Sequence, residues 1–273
     1  MEESDKLKID GYLRVRVPPH VRTLLAKVFE AGELFFNAPL DQKLLNHLPQ
    51  DAGFRPAGVE YSSSPRHADP IESFSAHARF SSSILKTGNA QALYEQMLAV
   101  IRVLEPLAEN LTIHLAKSFG DRKSADKLKG SLHSWSCLQL NYSRPAATRS
   151  SLIHEAHEDG HLFTLACATG PGLEIQSSDG QFKAAPTEPD EILVMPGDIA
   201  WLLSGGKIKP LFHRVRRDSQ CQVRMAMLYF CDINPDLCQP WVSNELNKDV
   251  EIGERVFANP SRFGLQGFNR EGA

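Results

Sequence analysis

From residue 134 to residue 230 the chain is cut into short apolar runs, and that segmentation restricts the fold more than any other feature of it. The runs at 134–142, 162–168, 173–176, 191–195, 199–203, 211–216 and 222–230 each have the length of a strand, with Gly, Pro, Asn or Asp at their borders. Many short strands separated by turns predict a β-sandwich or jelly roll rather than a parallel βαβ sheet. Helices are expected around it. Val21, Leu24, Leu25, Val28 and Phe35 fall on one helical face, and Leu93, Met97, Val100, Ile101, Leu104, Ala108, Leu111 and Leu115 make a longer stripe over 89–118. Pro106 should kink or divide that second helix, which is expected to pack on the outside of the barrel. Residues 8–16 read as a strand, 41–47 as a helical turn, and 51–83 as a loop whose aromatic and charged residues suggest that it covers something. The tail from 244 holds one helix before Asn259-Pro260.

With 273 residues, 42% of them hydrophobic, the chain has enough apolar material for one large core. The expected division is a single domain over 1–273, with a helical and loop region at 1–130, the β core at 131–235 and a tail at 236–273. A net charge of −3 gives no sign of a nucleic-acid surface, and no apolar run reaches membrane-spanning length. The acidic start, Met1 to Lys6, does not read as a targeting peptide. Five cysteines, an odd number without a Cys-x-x-Cys pair, suit reduced thiols in a cytoplasmic setting.

Chemistry concentrates at His157-Glu158-Asp159, His213 and Arg224. Two imidazoles and a carboxylate suit one face of an octahedral iron(II) ion, and a later arginine suits a carboxylate through a two-pronged contact. His-x-Asp alone says little, since His67-Ala68-Asp69 repeats it. That copy lies in a Ser- and Pro-rich stretch and reads as a surface turn, whereas Asp159 is followed at once by the strand-like run at 162–168. His154, His157 and His161 could instead face one side of a helix and hold zinc, but the strand run at 162 argues against a helix there. Alone, His157 and Asp159 could be a hydrogen-bonded pair, His213 a core histidine and Arg224 a structural ion-pair partner.

The order His157-x-Asp159, His213, Arg224 resembles the isopenicillin N synthase-like branch of the iron(II)/2-oxoglutarate dioxygenases. Leu162-Phe163-Thr164-Leu165, Gly172-Leu173-Glu174-Ile175, Pro196-Gly197-Asp198 and His213-Arg214-Val215 are similar to motifs of that family. So, upstream, are Phe35-Phe36, Pro39, Gly53-Phe54 and Glu72-Ser73-Phe74. The resemblance implies a mainly β fold with flanking helices, a double-stranded β-helix (jelly roll) core packed against N-terminal helices. It implies Fe(II) at His157, Asp159 and His213, with 2-oxoglutarate and O2 as co-substrates. Arg224 and Asn141 would face the oxo-acid, and Ala226 stands where the family has a serine.

The activity so implied is oxidation of an unactivated C–H bond by hydroxylation, desaturation or oxidative cyclisation, with release of succinate and CO2. The presence of Asp159 makes halogenation less expected. Arg55, Tyr61, Arg144 and Trp201 are candidate substrate contacts, with Arg149, Arg262 and Arg270 behind them. So many arginines suggest a small acid, such as an amino acid or an acid of natural-product biosynthesis, and no nucleic-acid or membrane partner. Two other readings stay open: a related iron oxidase or cyclase that does not use 2-oxoglutarate, and a catalytically silent jelly-roll binding protein.

Overall fold

The computed structural model describes residues 3–48, 52–64, 66–120, 132, 135–147, 149–237, 239–248 and 250–258. Its centre is a pair of antiparallel sheets. Strands β1 (Leu13–Arg16), β2 (Gly53–Arg55), β3 (Ile71–Ala76), β4 (Cys137–Ser143), β6 (Phe163–Ala168), β9 (Glu191–Pro196) and β11 (Arg224–Cys231) form the larger, in the order β1-β9-β6-β11-β4-β3-β2. The smaller runs β5-β10-β7-β8, from β5 (Leu152–His157), β7 (Leu173–Gln176), β8 (Phe182–Ala184) and β10 (His213–Arg216). From β4 onward the chain alternates between the sheets, apart from the β7–β8 hairpin within the smaller one, and the result is a jelly roll.

Period-two alternation assigns the two faces of the larger sheet. On β11, Met225, Met227 and Tyr229 join the helices in the main core, while Arg224, Ala226, Leu228 and Phe230 face a cavity between the sheets. The outer face is covered by α2 (Pro19–Phe36) and α4 (Gly88–Ser118), after a short α1 (Glu3–Ile9) and with α3 (Leu40–Leu44) between them. Phe36 stacks on Tyr142 with ring centroids 4.8 Å apart. Gly32 lets α2 approach β4 closely, since a Cβ there would stand 2.4 Å from Leu140 Cδ2. These helices brace the sheet that carries Arg224, Ala226 and Asn141.

Several elements differ from the sequence expectations, each for a physical reason. Pro106 does not divide α4. It and Arg102, whose carbonyl loses its i+4 donor, are both exposed, so water can satisfy that carbonyl. The run at 199–203 is not a strand but the helix α5 (Asp198–Leu203). An apolar run that short has no decisive periodicity, and Gly197 in extended conformation starts the helix instead. The stretch 8–16 splits into the end of α1 and β1. The supposed loop at 51–83 supplies β2 and β3, which extend the larger sheet beside β4. Strands β5 and β8 were not anticipated. They are the edges of the smaller sheet, too short and too polar to show a buried alternation. The tail helix is present as α6 (Ile252–Ala258). No helix among the described residues is long and apolar enough to cross a membrane.

Candidate metal and oxo-acid site

Sheet register brings the two histidines together. His213 opens β10 and lies directly opposite His157 at the end of β5, and the two rings stand 4.4 Å apart. Side chains directly opposite on antiparallel strands share a face, so two positions far apart in sequence become neighbours. Asp159 enters from the turn after β5. Its Oδ1 is 3.6 Å from His157 Nε2 and 3.9 Å from His213 Nε2. One potential ligand atom from each of the three lies within 4.8 Å of the others, and theirs is the only such group among the described residues. His154 and His161 do not join it.

The tautomers are set by the backbone. His157 Nδ1 lies 2.7 Å from the carbonyl of Glu155, and His213 Nδ1 lies 3.0 Å from that of Leu211. A carbonyl only accepts, so each Nδ1 carries the proton and each Nε2 turns a lone pair inward. Thr164 Oγ1 donates to Asp159 Oδ2 at 2.5 Å, which leaves Oδ1 for the shared space. Burial disfavours the anion of Asp159, but the His213 and His157 rings outweigh it and hold its pKa far below the carboxylate range. Burial lowers the pKa of His213. At His157 burial acts the same way, yet the adjacent Asp159 prevails and raises it.

The turn is fixed from below. The amides of Asp198 and Ile199 donate to the carbonyls of Asp159 and His161 at 3.0 and 3.3 Å. A Cβ at Gly197 would stand 2.2 Å from the carbonyl oxygen of His161, so only glycine permits that approach. Gly197-Asp198 thus supports the Asp159 loop. His161 lines the cavity but is buried, paired with Asp232 at 2.5 Å and stacked on Phe230.

Arg224 lines the same cavity from β11 and is only 4% exposed. Its Nε donates to the carbonyl of Pro171 at 2.9 Å, and no carboxylate among the described residues pairs with it. Burial pulls its pKa down to about 10, so it is still a cation at neutral pH. Ala226 lies between Asn141 of β4 and Ala168 of β6, and both Ala226 and Asn141 line the cavity. Tyr142, next to Asn141 on β4, points the other way into the helical core.

The cavity has a volume of about 1120 Å³, within the range of small-molecule sites once a co-substrate is included. Arg55 and Tyr61 line it. Arg144 does not. It is exposed, sits 4.9 Å over the Tyr142 ring and donates to Asn37 Oδ1. Trp201 on α5 packs against the main core instead, Arg149 is exposed, and Arg262 and Arg270 lie outside the described residues. The second His-x-Asp also reads differently in three dimensions. His67 is exposed, but Asp69 is buried, lines the cavity and binds His154. Its position just ahead of β3 was the missed signal, because a residue leading into a sheet strand is held at the sheet.

Fold and site together define a jelly-roll protein with two imidazoles and a carboxylate able to hold a metal ion and a buried guanidinium beside them. Residues 134–233 match the model of the family described as the 2OG-Fe(II) oxygenase superfamily, so this segment is a domain of that superfamily. Gibberellin 2-beta-dioxygenase 2 of Arabidopsis thaliana is 28% identical over 138 residues, covering 47% of this chain and 37% of that protein. Leucoanthocyanidin dioxygenase 1 of Oryza sativa subsp. indica is 34% identical over 110 residues, 38% of this chain and 28% of that protein. The matched segments span well under half the length of these relatives. Among solved structures, the rice dioxygenase for auxin oxidation superposes with a TM-score of 0.73 at 20% identity, over 94% of this chain and 88% of its own. A full-length Neurospora crassa protein crystallised with alpha-KG and 5-formyluracil gives 0.72 at 17% identity, over 93% and 87%.

Proposed function

We propose that the chain is a non-haem iron(II), 2-oxoglutarate-dependent oxygenase that oxidises an unactivated C–H bond of a small molecule. The observation that carries this reading is the pairing of two inward lone pairs and one carboxylate with an uncompensated buried arginine in a single cavity. The donor set suits iron(II), and a buried cation without an anion suits a dicarboxylate co-substrate. His157, Asp159 and His213 would hold the metal on one face, and Arg224 the far carboxylate of 2-oxoglutarate, with Asn141 beside it.

When bound, iron and the oxo-acid supply the oxidising chemistry, in which one atom of O2 ends in succinate with loss of CO2 and the other oxidises the substrate. The chain's own task is geometric and electrostatic. The Glu155 and Leu211 carbonyls select the neutral tautomer that turns each Nε2 lone pair inward, and Thr164 fixes the Asp159 carboxylate. Hydroxylation, desaturation and ring closure all fit this arrangement, as does a role in natural-product metabolism. In this reading the helical region, the β core and the tail work as one domain. The four described cysteines are free, which suits a reducing, cytoplasm-like compartment.

Anaerobic addition of iron(II) and 2-oxoglutarate tests the reading. A weak visible charge-transfer band, expected of a chelated oxo-acid, supports it. Iron binding without the band favours a related oxidase that dispenses with 2-oxoglutarate, and no iron binding favours a silent jelly-roll protein. Two substitutions grade the site. Thr164→Val leaves Asp159 without its hydrogen bond and should weaken iron binding by about 10- to 100-fold in a metal titration. Ala226→Ser adds a hydroxyl two residues from Arg224 on the same face and should tighten 2-oxoglutarate by up to about tenfold. Unchanged or weaker binding in that titration would count against Ala226 facing the oxo-acid.

A further inference from the structure

The charges of the cavity bear on its substrate, an inference that rests on the oxygenase reading. Among the described residues, Arg55 and Arg224 are the only arginines lining the cavity, and no lysine does. Arg224 is committed to the oxo-acid. Arg55 is committed to the protein: its Nε donates to Glu60 Oε1 at 2.6 Å, and its Nη2 donates to Ser75 Oγ at 2.7 Å and Gln139 Oε1 at 2.6 Å. Glu60 Oε2 accepts a further bond from Gln139 Nε2 at 2.9 Å. A carboxylic acid entering here would meet a guanidinium whose charge is already neutralised, with an anion beside it. The expectation of an acidic substrate, drawn from the number of arginines, loses its support.

Asp69 supplies the opposite demand. It lines the cavity and is 4% exposed. Its Oδ2 accepts from Ser62 Oγ at 2.6 Å and contacts His154 Nδ1 at 2.9 Å. Its Oδ1 accepts no hydrogen bond from any described residue. A carboxylate oxygen that opens onto the cavity without a protein donor is an acceptor left for a ligand, so the position favours a molecule that brings a donor. His154 lies beside the metal ligands, its ring 6.4 Å from that of His157. A donor held at Asp69 Oδ1 therefore places its molecule next to the reacting centre.

We propose that Asp69, held by His154 and Ser62, orients the substrate, and that the substrate presents an N–H or O–H group to it: an amine, amide or alcohol, not a carboxylic acid. Ser62 and His154 fix one oxygen, and the other reads the ligand. An acid would face Asp69 as a like charge, with no free cation among the described lining residues to offset it.

The test uses the full chain loaded anaerobically with iron(II) and 2-oxoglutarate. The probes are phenylalkyl compounds carrying a primary amine, amide, alcohol or carboxylate on one skeleton. The amine, amide and alcohol should perturb the visible band and raise succinate release in air, and the carboxylate should do neither. Asp69→Asn should weaken the responding probes about tenfold or more, with the unperturbed band serving as the check that the variant is folded and loaded. The proposal is overturned by a carboxylate that responds as strongly as its partners, by unchanged affinities in Asp69→Asn, or by a panel in which no probe responds. The native arm stands without the variant. Failure of the band to form in the native protein would instead refute the oxygenase reading, so the two failures are distinguishable.

Discussion

In His213→Ala, iron-dependent oxidation should fall to background while the chain still folds. The substitution removes one of three ligand groups from a set that has no fourth among the described residues. The remaining pair, His157 and Asp159, belongs to one turn and cannot by itself define the face of an octahedron. The cost to folding is small by comparison. His213 gives up one hydrogen bond to the Leu211 carbonyl, worth about 1 kcal/mol, which for a chain of this size lowers the melting temperature by roughly 2–4 °C. Metal linkage provides a second readout. Iron(II) under anaerobic conditions should raise the melting temperature of the native protein, because only the folded chain assembles the three ligands, and it should not raise that of the variant. Succinate release and a melting curve with and without iron check both statements. Iron-dependent oxidation persisting in His213→Ala would remove the triad from consideration.

How far the sequence reveals this protein depends on which kind of contact is in question. The ligands and Arg224 could be read from the chain because strand context surrounds them and period two puts Arg224 and Ala226 on one face. The alternation on β11 is the clearest case, with the cavity on one side and the helical core on the other. Edge strands could not be read. Strand β5 carries His157 but is half-buried and polar, since its pattern follows the needs of the site and not of a core. The 199–203 run shows the reverse failure, apolar enough for a strand but turned into a helix by Gly197 and by amide bonds to the Asp159 loop. The meeting of Glu60 with Gln139 was invisible because it depends on β3 pairing with β4, a long-range contact with no local signature. The surroundings of the arginines were hidden for the same reason. Residue type says that a cation is present, and only the fold says that Glu60 already holds Arg55 or that Arg144 lies over Tyr142.

Arg224→Met should raise the KM for 2-oxoglutarate about 100-fold or more, as expected when one partner of a buried, charge-assisted pair is removed, and it should do so without weakening the fold. The second clause separates function from structure. An arginine kept for stability would be paired, and losing it would strand its partner. Arg224 has only the Pro171 carbonyl on Nε and no carboxylate among the described residues. Burial has lowered its pKa from 12.5 to about 10, so the ligand-free fold bears a cost for the cation that is roughly 3 kcal/mol as an upper bound. The sign of that linkage is definite. Below about pH 10 the group is charged in both folded and unfolded chains, so the penalty is constant and contributes no pH dependence; it is relieved only as pH rises through the folded value. Methionine, similar in length and uncharged, should therefore leave the melting temperature of the ligand-free protein at neutral pH unchanged or raised. Added 2-oxoglutarate should raise the melting temperature of the native protein and have far less effect on the variant's. Arg224→Lys should fall between the two, since it restores charge but not the two-pronged geometry. A large loss of ligand-free stability in Arg224→Met, with the 2-oxoglutarate KM unmoved, would make the arginine a structural group and leave the cavity without its anchor for the co-substrate.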